Sequence, residues 1–305
     1  MIVLSHASKW YGQVIGLNDV TAEIRPGLTA LLGMNGAGKS TMLKLITGQL
    51  RPTTGNVTIF GMEPFANAEV YRRIGYCPEI DNFYEHMTGR NFVYHLARLA
   101  EFDHNEARKR TEEVLVTVGM SERADRKIAG YSKGMRQRIK LAQAMLHSPD
   151  VILLDEPLNG LDPVGRHEYI QLLHQLAMQG KTIMVSSHIL YEVEQMTSAL
   201  LLLHRGRLLA TGDLKLIRSY IDRHPHQIRI ETPEPRRAAA LLAALDNVVS
   251  LSFTPGGEAL QLEVREPNDF YDSLTRICLE QSLPIQGLSS PDNNLESVFK
   301  YLVEA

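Results

Sequence analysis

Cysteine is nearly absent from this sequence: the chain has 305 residues and only Cys77 and Cys278. That excludes a disulfide scaffold and a paired-cysteine zinc or redox motif, and two widely separated thiols read as those of a cytosolic protein. Long hydrophobic runs are missing too. The longest, such as Ala199 to Leu203 and Ala238 to Leu245, fall well short of the roughly 18–20 residues of a membrane helix, so any work at a membrane would go through a partner. Charge of one sign is not in excess. A formal net charge of −3 advertises no nucleic-acid surface, and there is no acidic tail. The opening residues MIVLSHASKWYG put no basic stretch ahead of an apolar block, so no signal peptide is expected. No tandem repeat or low-complexity tract is visible.

What remains is an ordinary globular composition, 44% hydrophobic, in a chain longer than one compact core usually holds. Two domains are therefore expected. Strand-like stretches at Ile2–Ala7, Val20–Ile24, Leu28–Leu32 and Val57–Phe60 accompany a helix over Thr41–Thr47. Residues 86–147 lack strand signals and carry helical spacing, as in Phe92, Leu96 and Leu99 or Val114, Leu115 and Val118. They read as a helical subdomain inserted in an α/β core. Val151–Leu154 and Thr182–Val185 are continuous apolar runs, the pattern of strands buried on both faces. A helix at Val164–Met178 lies between them, and Ala199–Leu203 with Arg207–Ala210 resembles a closing hairpin. Strands alternating with helices imply a largely parallel sheet.

The pattern changes near residue 222, where Asp222-Arg223-His224-Pro225-His226 reads as a linker. Beyond it, Ile228 and Ile230 alternate with polar residues. Leu241, Leu242 and Leu245 suit a helix, and Val249, Leu251 and Phe253 alternate, as do Leu260, Leu262 and Val264. Phe270, Leu274, Ile277 and Leu279 suit a second helix, and Ile285–Leu288 a last strand. The order β-α-β-β-α-β is that of a ferredoxin-like α+β unit. A final amphipathic helix is expected over Leu295–Val303. The reading is thus an α/β domain at 1–221 and an accessory domain at 222–305.

The chemistry concentrates in four motifs. Gly33-Met34-Asn35-Gly36-Ala37-Gly38-Lys39-Ser40 follows a strand and opens a helix. Glycines let the backbone N–H groups turn toward phosphate oxygens, Lys39 offers a point charge to the β- and γ-phosphates, and Ser40 offers a hydroxyl to magnesium. Chance gives such a pattern in roughly 1% of chains this long. Val151-Ile152-Leu153-Leu154-Asp155-Glu156 is a buried strand ending in two acids. Asp155 would hold magnesium and Glu156 would polarise or deprotonate an attacking water. A helix-capping role competes for such acids when they stand alone. His188 follows a buried strand and can reach a γ-phosphate as neutral imidazole. Tyr131-Ser132-Lys133-Gly134-Met135-Arg136-Gln137-Arg138 reads as a loop opening a helix, whose N-terminus suits an anion, with the arginines as surface charges.

In this order the motifs resemble the nucleotide-binding subunit of an ABC transporter, over about Ile2 to Gly212. The fold implied is that of a P-loop NTPase of the ABC ATPase type. The resemblance implies that Gly33 to Thr41, with Asn35, Gly36, Ala37, Gly38, Lys39 and Ser40, holds the nucleotide. It makes Glu156 the catalytic carboxylate, His188 the switch histidine, and Asn159-Gly160-Leu161-Asp162 the dimer-facing loop. Tyr11, or Trp10 beside it, would stack on adenine. Ser132, Lys133, Gly134 and Met135 match the signature loop, with Lys133 for the family's first glycine and Met135 for its glutamine. This form is similar to that of single-domain ATPases in bacterial exporters. The family's Q-loop glutamine is replaced by Glu79, which can meet magnesium but cannot donate as an amide. The last helix, Leu295 to Phe299, also resembles that branch.

The resemblance further implies ATP and magnesium as ligands. Two copies would pair head to tail, with Ser132 and Gly134 of one capping ATP on Lys39 of the other. A separate permease would dock near Glu79 to Met87, with Phe83 and Tyr84 at the contact, and place the chain on the inner face of the membrane. Two other readings remain open: a soluble ABC ATPase acting on a non-membrane partner, and a nucleotide-gated regulatory module.

Overall fold

A computed structural model describes residues 1–213, 225–257 and 259–290. The chain divides into two compact units, Met1–Gly212 and Asp213–Ala305. The expected linker at 222–226 and last helix at 295–303 lie, in whole or large part, outside the described residues.

In the first unit β1 (Ile2–Tyr11), β2 (Val14–Ile24) and β4 (Thr54–Ile59) form an antiparallel sheet in the order β2-β1-β4. Its strands run longer than their apolar centres, because cross-strand pairing carries the ladder into polar residues such as Lys9 and Asn56. The larger sheet holds β3 (Gly27–Leu32), β5 (Ile74–Cys77), β6 (Val151–Leu154), β7 (Thr182–Ser187), β8 (Ala199–His204) and β9 (Arg207–Asp213), in the order β5-β6-β7-β3-β8-β9. From β5 to β8 its pairings are parallel. Every residue of β6 and β7 is buried, which is why these strands read as unbroken apolar runs. The pairs Cys77–Leu154, Leu154–Val185 and Leu32–Ser187 bring four carboxyl ends nearly level. That edge is where a parallel sheet presents ligand-binding groups.

Helix α1 (Lys39–Ile46) follows β3 and buries Met42, Leu43, Leu45 and Ile46 in the core shared by both sheets. The short α2 (Ala68–Tyr71) precedes β5. The helical subdomain contains α3 (Gly89–Leu99), α4 (His104–Thr117) and α5 (Lys133–Met145). Thr88, Asp103 and Ser132 cap these helices by accepting backbone N–H groups of their first turns; each such cap is worth about 1 kcal/mol. Arg90 on α3 ties the group together through Glu112 on α4 and Asp125 beyond it. Leu99, the last residue of α3, stands outside the packed face at 79% exposure. Helices α6 (Pro163–Met178) and α7 (Leu190–Met196) complete the unit.

The second unit follows the order β10 (His226–Glu231), α8 (Pro235–Leu242), β11 (Val248–Phe253), β12 (Ala259–Val264), α9 (Pro267–Glu280) and β13 (Gly287–Ser289). Its sheet order β11-β12-β10-β13, antiparallel throughout, is ferredoxin-like. Ala238, Leu242, Phe270 and Leu274 pack on Ile228, Ile230, Leu260 and Leu262. Not every apolar residue of these elements packs inward. A register shift between Val248 and Ser250 puts an extra residue into β11, so Val248 and Leu251 pack inward while Val249 is exposed; one inserted residue reverses the facing of a strand. Phe253, on the Leu251 face, is exposed where this edge strand ends. Leu279 follows Ile277 by two positions, turns to the far side of α9, and is exposed.

Candidate functional site

The loop from Gly33 to Ser40 joins β3 to α1 at the carboxyl edge of the parallel sheet. Gly33 donates its N–H to the Ser187 carbonyl at 3.2 Å. Gly38 opens α1 with φ of 108°, and a Cβ there would stand 2.5 Å from the Gly16 carbonyl oxygen. Both the backbone angle and the close approach therefore demand glycine. Lys39 is buried, and its Nζ donates to the carbonyls of Gly33 at 2.6 Å and Met34 at 3.3 Å. The same ammonium lies 3.2 Å from Glu156 Oε1. A buried cation needs such partners, because an unpaired one costs several kcal/mol.

Strand β6 runs directly into Asp155 and Glu156, both buried. Ser186, at the end of β7, organises the pair: its hydroxyl donates to Asp155 Oδ1 at 2.6 Å and accepts the Glu156 N–H at 2.8 Å. Glu156 adopts φ of 49°, a left-handed conformation that costs a non-glycine residue of order 1 kcal/mol or more and clusters at working sites. That turn aims its carboxylate between two groups. Oε1 meets Lys39, and Oε2 lies 2.9 Å from His188 Nδ1. One carboxylate thus bridges the phosphate-loop lysine and the histidine that follows β7.

These groups border a cavity of about 540 Å³ lined by Tyr11, residues 34–41, Glu79, Glu156, Asn159 and His188, among others. Tyr11 lines it, with its hydroxyl 3.4 Å from Thr41 Oγ1. Trp10 does not. Glu79 is held by its backbone: Lys140 Nζ donates to its carbonyl at 3.0 Å and pairs with Asp81 at 3.1 Å. Lys133 pairs with the other Asp81 oxygen at 3.3 Å. Burial pushes the Asp81 carboxyl up, but the two ammonium groups together hold it below the usual carboxylate range. Asp81 and Lys140, which nothing in the motif pattern singled out, therefore fix the segment that carries Glu79.

Ser132 caps α5, its Oγ accepting the Met135 N–H at 3.3 Å. Ser132, Gly134 and Met135 line a second cavity of about 670 Å³ with Leu161, Asp162 and Tyr169. No residue lines both cavities. The stretch Asn159–Asp162 spans them: Asn159 borders the first, and Leu161 and Asp162 the second. Asp162 accepts the Gly165 N–H at 2.8 Å and caps α6, with Pro163 in its first turn. A Cβ on Gly160 would meet Lys133 Cγ at 3.4 Å, so Lys133 runs past this stretch toward Asp81. Arg136 and Arg138 are not free surface charges. Arg136 forks onto Glu85 at 2.7 and 2.8 Å, and Arg138 pairs with Glu168 at 2.7 Å. Met135 is buried.

Residues 17–159 match the model of the family described as ABC transporter. The chain is 38% identical over 209 residues to an uncharacterised ABC transporter ATP-binding protein of Synechocystis, matching 67% of this chain but 59% of that relative's length. It is 37% identical over 212 residues, 68% of each chain, to a bacitracin transport ATP-binding protein of Bacillus licheniformis. Among solved structures, the dimeric post-hydrolysis state of an ATP-binding cassette bound to ADP and phosphate superposes with a TM-score of 0.63 at 27% identity, covering 70% of this chain and 99% of that one.

Proposed function

This chain belongs to the ABC transporter family of ATP-binding proteins, and on that footing we propose that it binds and hydrolyses ATP to power transport through a separate membrane permease. The observation that carries this reading is Glu156 bridging Lys39 and His188 at the end of a buried strand. Lys39 takes the β- and γ-phosphates. At 3.2 Å it serves Glu156 as its counter-ion, and phosphate oxygens compete for the same ammonium. Drawing Lys39 toward phosphate leaves Glu156 able to polarise a water and take its proton. His188 holds the second carboxylate oxygen and borders the space for the γ-phosphate.

The oxygen donors present suit magnesium. Among the described residues no three His, Cys, Asp or Glu side chains gather as a metal cluster, and this cation is typically held by one or two carboxylates plus phosphate and water. Ser40, Asp155 and Glu79 would hold it. When bound it neutralises charge on the phosphate oxygens. Ser186 keeps one Asp155 oxygen engaged and leaves the other to serve.

Two copies complete the site. In one chain the signature residues Ser132, Lys133, Gly134 and Met135 stand apart from the cavity of Lys39, so they serve the nucleotide of a second copy. The dimeric cassette supports this reading. ATP shared between two helix N-termini favours closure, and hydrolysis releases it. Among the described residues no helix is long and apolar enough to cross a membrane. On this reading the permease supplies the membrane passage and would hold this chain at the cytoplasmic face. Ile80 and Tyr84 are the most exposed apolar groups near the proposed docking segment, whereas Phe83 packs edge-on against Phe92 at 5.2 Å. The α+β unit is read as an accessory domain.

Adenine is assigned to Tyr11. Replacing it by alanine should weaken ATP binding about tenfold or more, since base–aromatic stacking is worth about 1–3 kcal/mol. Trp10→Ala should change affinity less than about twofold. Nucleotide titration of both variants decides, and the reverse ranking would move adenine to Trp10.

A further inference from the structure

Glu192 is a buried carboxylate that the proposed hydrolysis does not use. It lies on α7, four residues after His188, at 2% exposure. Its Oε2 accepts the Ser187 hydroxyl at 2.8 Å. The same hydroxyl oxygen accepts the Ile189 N–H at 3.1 Å, so Ser187 closes a turn with His188 at its middle. The Ser187 carbonyl in turn accepts the Gly33 N–H. This residue is thus tied by its backbone to the phosphate loop and by its side chain to Glu192.

The other oxygen, Oε1, faces Arg166 Nε at 3.4 Å. Both atoms are buried and neither has a hydrogen-bond partner. They attract as charges without a well-directed bond. Arg166 sits in the first turn of α6, and its N–H bonds to the Asp162 carbonyl at 2.9 Å. That places it directly behind the stretch Asn159–Asp162. If packing were the only need here, an apolar side chain would serve α7 better, because a buried ion pair seldom stabilises more than a hydrophobic replacement. The retained carboxylate touches two groups, one adjoining His188 and one adjoining the dimer-facing stretch.

We propose that Glu192 is a positioning residue for His188, fixing its turn through Ser187 and tying that turn to helix α6 through Arg166. The inference rests on the assignment of His188 to the hydrolytic site. With this brace the histidine and the residues facing a second copy move as one body. Without it the imidazole stays attached but loses its orientation, and misplacement of about 1 Å costs up to about 10²-fold in rate.

The test is steady-state ATP hydrolysis by full-length Glu192→Gln, Ser187→Ala, Arg166→Gln, the Glu192→Gln/Ser187→Ala double variant, and His188→Ala. Glu192→Gln should lower kcat about tenfold or more with KM for ATP changed less than about twofold. The double variant should be no slower than the worse single one, because both remove the same link. A kcat within twofold of the native chain, or additive losses with KM rising in step, would overturn the brace. Should Glu192→Gln fail to fold, Ser187→Ala and Arg166→Gln carry the same kcat-only expectation and decide alone. If His188→Ala keeps native turnover, the site assignment falls and the brace with it. If His188→Ala loses turnover while the brace variants keep it, the brace alone falls.

Discussion

Glu156→Gln is expected to bind ATP at least as tightly as the native chain while releasing phosphate roughly 10²–10⁴-fold more slowly. The amide keeps the shape of the side chain: its oxygen can still accept from Lys39 and its NH2 can donate to a neutral His188, groups that lie 3.2 and 2.9 Å from the two oxygens of the native carboxylate. It cannot accept a proton. It also removes a negative charge from a buried position next to the incoming phosphates, and that repulsion is strong where the dielectric is low. Binding and chemistry should therefore separate. ATP that is bound and not cleaved should hold two copies together, so gel filtration of the variant with magnesium and ATP should show a dimer that the native chain forms only transiently. Near-native phosphate release by this variant would remove Glu156 from its role.

Lys39→Ala should fail one step earlier, losing about 10²-fold or more in ATP affinity. A hydrogen bond to a charged group is worth about 1.5–3 kcal/mol, and Lys39 is placed to serve more than one phosphate oxygen. The substitution also strips Glu156 of its cation, leaving a buried carboxylate with His188 as its remaining side-chain partner. That uncompensated charge then repels the nucleotide, so the two effects act in the same direction. The single tryptophan, Trp10, neighbours Tyr11 and gives an intrinsic fluorescence signal for the titration. Unchanged affinity would contradict the assignment of the loop.

Several residues that border the candidate site stand out in the sequence because their local setting marks them. Gly38 must be glycine where φ is positive and the chain approaches Gly16. The acids after Leu154 are conspicuous because a wholly apolar strand ends on them. The links between these residues were not readable, because they join positions distant in sequence. Ser186 organises Asp155 and Glu156 from another strand. Asp81 gathers Lys133 and Lys140 from one helix, although both look like ordinary solvated charges. Arg136 and Arg138 read as surface residues and instead anchor α5 to Glu85 and Glu168.

The same limit applied to the fold. Strand β5, Ile74-Gly75-Tyr76-Cys77, is four residues long and holds a glycine, too short a pattern to announce itself, and it forms by pairing with β6. The parallel sheet followed from unbroken apolar runs alternating with helices, and the helical subdomain from helical spacing over residues 86–147. In the α+β unit the element order was legible. The facing of β11 was not, because the inserted residue near Val249 leaves no compositional mark.

If this chain hydrolyses ATP in a site that a second copy completes, turnover must depend on pairing. The most direct measurement is phosphate release from magnesium ATP by the purified native chain across a wide range of protein concentration. The rate per chain should rise with concentration and then level off as pairing saturates. No phosphate release at any concentration, or a rate per chain independent of concentration in a protein that stays monomeric with ATP, would contradict it.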